Sequence, residues 1–266
     1  MSTPSDAITL VDVTAGYGDR AAISGVSLSL TRGSLTAIFG PNGGGKSTLL
    51  KCIAGLMQPW SGSVQVLGAA VGVYAKRVAY VPQAEQVDWS FPVSVGEVVM
   101  MGRTPALGPL GRPGVADHAA VADALARVDM ADLARRQIGE LSGGQRRRVF
   151  LARAIAADPE IYLLDEPVTG VDPTTQEKIM NILDAEAARG RTVVATTHDL
   201  ACAAQRFHDV VALAGRVVAH GAAQLVLDQA VLEKTYGGHL VPLAGGGVVL
   251  LDDPHHAHGA HAGHDE

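Results

Sequence analysis

Cysteine, aromatic side chains, surplus positive charge and long apolar runs are all scarce in this sequence. Its two cysteines, Cys52 and Cys202, are too few for a disulfide framework. They read as small buried apolar residues rather than redox groups. Lysine and arginine number 21 against 27 aspartates and glutamates, a formal net charge of −6. That balance gives no broad electrostatic footprint for nucleic acid, so no nucleic-acid partner is expected. No uninterrupted apolar run reaches the ~18 residues of a membrane-spanning helix. The polar start, Met1–Asp6, lacks the charged and apolar regions of a signal peptide. The expectation is a cytoplasmic chain whose membrane role, if it has one, comes through a partner. Aromatics make up only 4%, so apolar burial must come from aliphatic residues, and the 47% apolar content suffices for a sizeable core.

What the sequence does have begins with Gly40-Pro-Asn-Gly-Gly-Gly-Lys-Ser-Thr48. It fits G-x-x-x-x-G-K-[ST], with Gly40, Gly45, Lys46 and Ser47 at the fixed positions. Leu35–Phe39 reads as a buried strand before it, and Thr48–Met57 as a helix after it. A glycine-rich turn between strand and helix lets backbone N–H groups converge on phosphate oxygens. The helix N-terminus adds unpaired N–H groups and a dipole that favours an anion. Lys46 is placed to reach the β- and γ-phosphates, and the Ser47 hydroxyl to ligate Mg²⁺. The alternative is a purely structural glycine-rich turn.

Around this loop, strands alternate with helices, which predicts an α/β fold with a mostly parallel sheet and right-handed crossovers. Ile8–Val13 alternates as an edge strand would, and Val26–Leu30 alternates again, giving an N-terminal antiparallel β part. Tyr17 lies in the turn after the first of these; it either stacks on a purine base or is a half-buried turn tyrosine. Short strands are expected near Ser63–Leu67 and Arg77–Val81, the second leading to Gln83. From about residue 87 to 158 the pattern becomes helical, with Val95–Met101 and Ala116–Val128 separated by a glycine- and proline-rich stretch, Gly102–Gly114. This reads as a helical subdomain inserted in the α/β core, the whole spanning residues 1–251. Trp89 and Phe91 sit at its start and read as core or interface anchors.

Leu141-Ser-Gly-Gly-Gln145 opens a helix running to about Ala157. Ser142 is a good N-cap, and Gly143 and Gly144 leave N–H groups unobstructed, a second helix end suited to an anion. Arg146, Arg147 and Arg148 oppose the helix dipole there, and are expected to serve solvent exposure or a specific contact. Glu160–Pro167 reads as a buried parallel strand ending in Asp165 and Glu166. An aspartate at the C-terminal edge of such a strand suits Mg²⁺, a hard cation that takes oxygen ligands. Glu166 is placed to orient an attacking water; the alternative is a solvated or helix-capping acidic pair. Pro173–Arg189 reads as a helix and Arg191–Thr196 as a strand leading to His198. The last fifteen residues, 252–266, carry His255, His256, His258, His261 and His264 and too little apolar surface to fold alone. They are expected either to bind a transition metal or to be a solvated, disordered tail.

Taken in order, GPNGGGKST, the Gln83 of YVPQ, LSGGQ, IYLLDEP, the Asp172 of GVDP and TTHD resemble the ATP-binding subunit of an ABC transporter, a P-loop NTPase. The resemblance covers about Ile8 to Val241. It departs at Gly44, where the family often has serine, and at Val171, where leucine is common. The resemblance implies ATP and Mg²⁺ as cofactors and roles for particular residues. Tyr17 would stack on adenine, and Asn42, Gly43, Gly44, Gly45, Lys46, Ser47 and Thr48 would cradle the phosphates. Asp165 would hold Mg²⁺ and Gln83 would touch it; Glu166 would be the general base and His198 would contact the γ-phosphate. Ser142, Gly143, Gly144 and Gln145 would close over the ATP of a second copy in a head-to-tail dimer, with Asp172 at the junction. YVPQ with the segment from Val87 to Arg103 resembles more narrowly the ATPases of manganese, zinc and iron importers. That implies integral-membrane permease subunits, an extracytoplasmic metal-binding protein acting indirectly, and a place on the cytoplasmic face of the membrane. Export, another solute, and a soluble non-transport ABC ATPase are the alternative functions.

Overall fold

The structure, a computed structural model, describes residues 6–83, 91–108, 111–237, 240–243 and 247–250. Its centre is β3 (Leu35–Phe39), five consecutive buried residues. A strand buried on both faces is what a parallel sheet covered by two layers requires. β3 pairs in parallel with β8 (Thr192–Thr197) on one side and β9 (Asp209–Leu213) on the other. β7 (Ile161–Leu164) and β6 (Val78–Val81) continue the sheet beyond β8, also in parallel. β10 (Val217–Ala222) closes the opposite edge antiparallel to β9, giving the order β10-β9-β3-β8-β7-β6.

Alternate residues of these strands serve two separate cores, because successive side chains point to opposite faces. Leu35, Ala37, Phe39, Tyr162, Leu164, Val193 and Ala195 join one apolar cluster, and Ile38, Ile161, Leu163, Val194 and Val211 join the other. The first face is covered by α2 (Val95–Met100), α4 (Val115–Arg127) and α5 (Gly143–Ala156), together with α6 (Pro173–Ala188). The helical insertion therefore shares one continuous core with the sheet. The second face is covered by α1 (Lys46–Ile53) and by an antiparallel sheet of β1 (Asp6–Tyr17), β2 (Arg20–Thr31), β4 (Ser61–Val66) and β5 (Ala69–Ala70), in the order β2-β1-β4-β5.

One expectation needs correction. β1 is not an edge strand: Ile8 faces Leu30 of β2 on one side and Val66 of β4 on the other. Its alternation arises because one face packs on the core while the other meets solvent, and says nothing about the hydrogen-bonding edges. Gly102–Gly114 does separate α2 from α4, as expected. It holds a 3₁₀ turn, Met101–Arg103, and α3 (Thr104–Leu107). Gly102 is there for close approach, since a Cβ would lie 2.1 Å from the Arg153 carbonyl oxygen. Phe91 is 63% exposed and so is no core anchor, while Trp89 and the tail histidines lie outside the described residues. The chain ends its described part with α7 (Leu200–Arg206), α8 (Ala223–Val226), α9 (Gln229–Tyr236) and a hairpin of β11 (Leu240–Leu243) and β12 (Gly247–Leu250).

Candidate functional site

Four neighbouring parallel strands deliver the predicted residues from their C-terminal ends, the usual location of a site in an open α/β sheet. β3 leads into Gly40–Gly45 and α1, β8 into His198, β7 into Asp165 and Glu166, and β6 into Gln83. The glycine loop is set by steric demand. Gly40 has φ 153° and a Cβ there would sit 1.8 Å from the Leu213 carbonyl oxygen; Gly45, at φ 90°, would press 2.3 Å against Ile23. Gly43, also left-handed at φ 76°, faces open space with nothing within 4 Å. At Gly44 a Cβ would lie 2.9 Å from the Pro41 carbonyl oxygen, so glycine at this departure from the usual pattern suits the loop's spacing.

Lys46 begins α1 and is only 6% exposed. Its ammonium donates to the carbonyls of Gly40 at 2.7 Å and Pro41 at 3.0 Å, so its side chain folds back across the loop. Burial pulls its pKa down, while the Glu166 and Asp165 carboxylates pull it back up. That coupling places loop and acidic pair in one electrostatic site. The N-cap of α1 is Gly45, which supplies no side-chain acceptor, and the first turn holds no acidic residue. The helix start is thus left to an external anion. Ser47 is half-buried and Thr48 buried on α1; Asn42 is exposed at the loop's rim.

Asp165 is 3% exposed and Glu166 half-buried. The Thr196 hydroxyl of β8 donates to Asp165 Oδ1 at 2.8 Å and accepts the Glu166 N–H at 2.8 Å. Tyr80 of β6 lies 3.4 Å from Asp165 Oδ2, and its phenol is pushed well above its ordinary pKa by burial and by that carboxylate. Glu166 adopts φ 51°, the left-handed region, which is rare outside glycine. Gln83 Nε2 donates to Glu166 Oε2 at 3.3 Å, and His198 Nδ1 lies 3.9 Å from the same oxygen and 3.4 Å from Thr169 Oγ1. Gln83, Glu166 and His198 therefore meet. Asp165, Ser47 and Gln83 are the oxygen donors suited to a hard cation at the loop. Among the described residues no cluster of three or more His, Cys, Asp or Glu side chains could hold a metal ion.

Ser142 caps α5 as expected, accepting the Gln145 N–H at 3.3 Å, while Gln145 Oε1 accepts the Ser142 N–H at 2.9 Å. This reciprocal box uses the N–H groups of Ser142 and Gln145; those of Gly143 and Gly144, the ones expected to be unobstructed, lie between them. S-x-x-Q is a capping signal and was legible. Gly144 packs against Thr175, and Asp172 caps α6 by accepting the Thr175 N–H at 3.0 Å. The Thr175 hydroxyl and then its N–H hold the Asp172 carboxyl below its usual range. Ser142–Gln145 and Asp172 thus adjoin. Arg146 donates to the Gly139 carbonyl and Arg148 to those of Val128 and Asp129, so these cations make specific contacts. Tyr17 ends β1, is 54% exposed and has Lys51 beside it, 3.2 Å from the hydroxyl. Thr196 and Tyr80 were not singled out from the sequence. A hydroxyl among β-branched strand residues gives no signal until the strands are paired.

Residues 23–169 match the family described as ABC transporter. The chain is 41% identical over 240 residues to the zinc transport system ATP-binding protein TroB of Treponema pallidum, covering 90% of each chain. It is 43% identical over 233 residues to the manganese transport system ATP-binding protein MntB of Bacillus subtilis, covering 88% of this chain and 93% of the other. Among solved structures it is similar to an ABC transporter in an inward-facing conformation, with TM-score 0.77 and 27% identity over 87% of this chain and 89% of that one. A dimeric ATP-binding cassette in a post-hydrolysis state with ADP and phosphate is similar at TM-score 0.71 and 28% identity, over 81% of this chain and 98% of the other.

Proposed function

Because the chain belongs to the ABC transporter family, we propose that it is the ATP-hydrolysing subunit that powers import of a transition metal ion, manganese or zinc first and iron next, through integral-membrane permease subunits. Two copies would work as a head-to-tail dimer on the cytoplasmic face of the membrane. An extracytoplasmic binding protein would deliver the ion to the permease. Among the described residues no helix is long and apolar enough to cross a membrane, which fits a peripheral subunit.

The observation that carries the reading is the 41–43% identity, over about nine-tenths of the chain, to ATP-binding subunits named for zinc and manganese transport. The geometry supports the chemistry. Lys46 would shift from its loop carbonyls to the β- and γ-phosphates, and the N–H groups from Gly43 to Thr48 would hold the phosphate oxygens. Tyr17 would stack on adenine. Glu166 would take the proton of the attacking water, with Gln83 and His198 fixing its carboxylate and the γ-phosphate. Ser47, Asp165 and Gln83 would hold Mg²⁺, which neutralises phosphate charge when bound. Ser142–Gln145 and Asp172 would complete the site of the second copy.

The test is cellular manganese, zinc and iron content under metal limitation, comparing wild type with Lys46→Ala. Selective loss of one metal supports import and names the ion. Accumulation points to export. No change in any of the three, with hydrolysis abolished, removes the metal-import reading.

A further inference from the structure

We propose that Thr196 is a positioning residue for ATP hydrolysis: its hydroxyl fixes the Asp165 carboxylate and the Glu166 backbone against each other. The inference rests on Glu166 acting as the base and Asp165 serving the cation.

A hydroxyl has one proton to give and lone pairs to accept with. Thr196 spends the proton on Asp165 Oδ1 and a lone pair on the Glu166 N–H, both at 2.8 Å. The two uses are compatible and occupy its only donor. Thr196 is fully buried, so water has no access to take its place. The hydroxyl is also rigidly mounted. Thr196 pairs with Ile38 of β3, while its neighbour Ala195 pairs with Leu164 of β7, so β8 is held on both edges. A β-branched side chain adds a restricted χ1.

Its two partners are consecutive residues that must face different ways. Asp165 sits with Oδ1 taken by Thr196 and Oδ2 next to Tyr80. Glu166 holds a left-handed φ of 51°, a conformation that persists only where the surroundings impose it. The bond from its N–H to Thr196 is such a constraint. It turns the Glu166 carboxylate toward Gln83 and His198 instead of along the strand. Loss of the hydroxyl would leave a buried carboxylate oxygen and a partly buried N–H without this partner, and would free the base to rotate.

The test uses the purified full chain and Thr196→Val, which keeps the shape and removes the hydroxyl. Thr196→Ala serves as a second hydroxyl-free variant should valine impair folding, and Thr196→Ser and Glu166→Gln complete the set. Hydroxyl-free variants are expected to lose about tenfold or more in kcat while ATP affinity stays within about threefold, and serine to restore kcat. In the nucleotide-free protein, amide exchange at Glu166 is expected to quicken about tenfold in the valine variant and to slow again with serine. Wild-type kcat without the hydroxyl, or ATP affinity falling in step with kcat, or failure of serine to rescue, overturns the proposal. Wild-type turnover by Glu166→Gln would overturn the base assignment and this inference with it. A dead Glu166→Gln beside a fully active Thr196→Val would overturn this inference alone.

Discussion

The side-chain amide of Gln83 donates to the Glu166 carboxylate across 3.3 Å. Gln83 lies two residues after β6, where the chain leaves for the helical insertion, and Glu166 follows β7, where it has come back. The candidate base is therefore one hydrogen bond away from the segment on which the inserted helices hang.

Glu166→Gln should lower ATP turnover by about 10²-fold or more, because it removes the proton acceptor while keeping the side chain's shape. ATP affinity should be retained, since the phosphate loop is untouched. Steady-state hydrolysis and equilibrium nucleotide binding on the same preparation check both halves.

Lys46→Met should separate function from stability. ATP affinity and hydrolysis should fall sharply, because the phosphates lose their cation. Without nucleotide, the thermal midpoint should be unchanged or higher. A buried ammonium pays a desolvation cost that a methionine of similar length avoids. A marked drop in midpoint would show that its bonds to the Gly40 and Pro41 carbonyls outweigh that cost.

Two glycines of the loop should respond differently to alanine. Gly40→Ala would drive a Cβ into the Leu213 carbonyl and force β3 and β9 apart, so it should destabilise the fold as well as nucleotide binding. Gly43→Ala meets open space and carries only the left-handed backbone penalty, on the order of 1 kcal/mol. Chemical denaturation midpoints of the two variants give the comparison.

Glu186 of α6, 2% exposed, accepts from Tyr162 at 2.9 Å and pairs with Arg127 of α4 and Arg189. A cleft of about 490 Å³ opens beside it, between the ends of α4 and α6. Glu186→Ala should cost about 1–3 kcal/mol, because it removes the buried acceptor of Tyr162 and leaves Arg127 only its exposed partner Asp123. The double variant with Arg127→Leu should recover part of the loss; additive costs in denaturant unfolding would contradict the pairing.

Stability should fall at alkaline pH. Burial pushes Tyr162 and Tyr236 up to about 12 from 10.0, and Cys52 up to about 11 from 9.0. Groups raised in the folded state lose protons more readily on unfolding, so their contribution is intact below pH 9–10 and is lost as pH climbs through 11 and 12. Lys46, lowered from 10.5, works in the opposite direction, while Tyr80 and Cys202, also raised, add to the alkaline loss. Urea midpoints at pH 8, 10 and 11 read the slope, and Tyr236→Phe should flatten it.

The parts of the site legible in the sequence are those whose chemistry is local. The glycine spacing before Lys46 and the apolar strand before Asp165 each carry their own reason. What was not legible depends on pairing between distant segments. Thr196 looks like any strand threonine until β8 lies beside β7. Arg127 and Glu186 are ordinary helix charges until α4 meets α6. The interior position of β1 was hidden because its pattern reports its faces and not its neighbours. The capping box at Gln145 is different, since its Ser142-x-x-Gln spacing was present in the sequence.

The wall behind the phosphate loop has a consequence for biosynthesis. β3 comes early in the chain, yet its partners are β8 and β9, and Gly40 closes against Leu213. On a ribosome adding 5–20 residues per second, β3 would wait roughly 10–35 s for those partners to be made. Until then the loop has no floor, and a nascent chain stalled before β8 would expose Leu35–Phe39 as an unpaired apolar strand. On this topology nucleotide binding is expected to stabilise the chain only near the end of synthesis, once β8 and β9 stand beside β3.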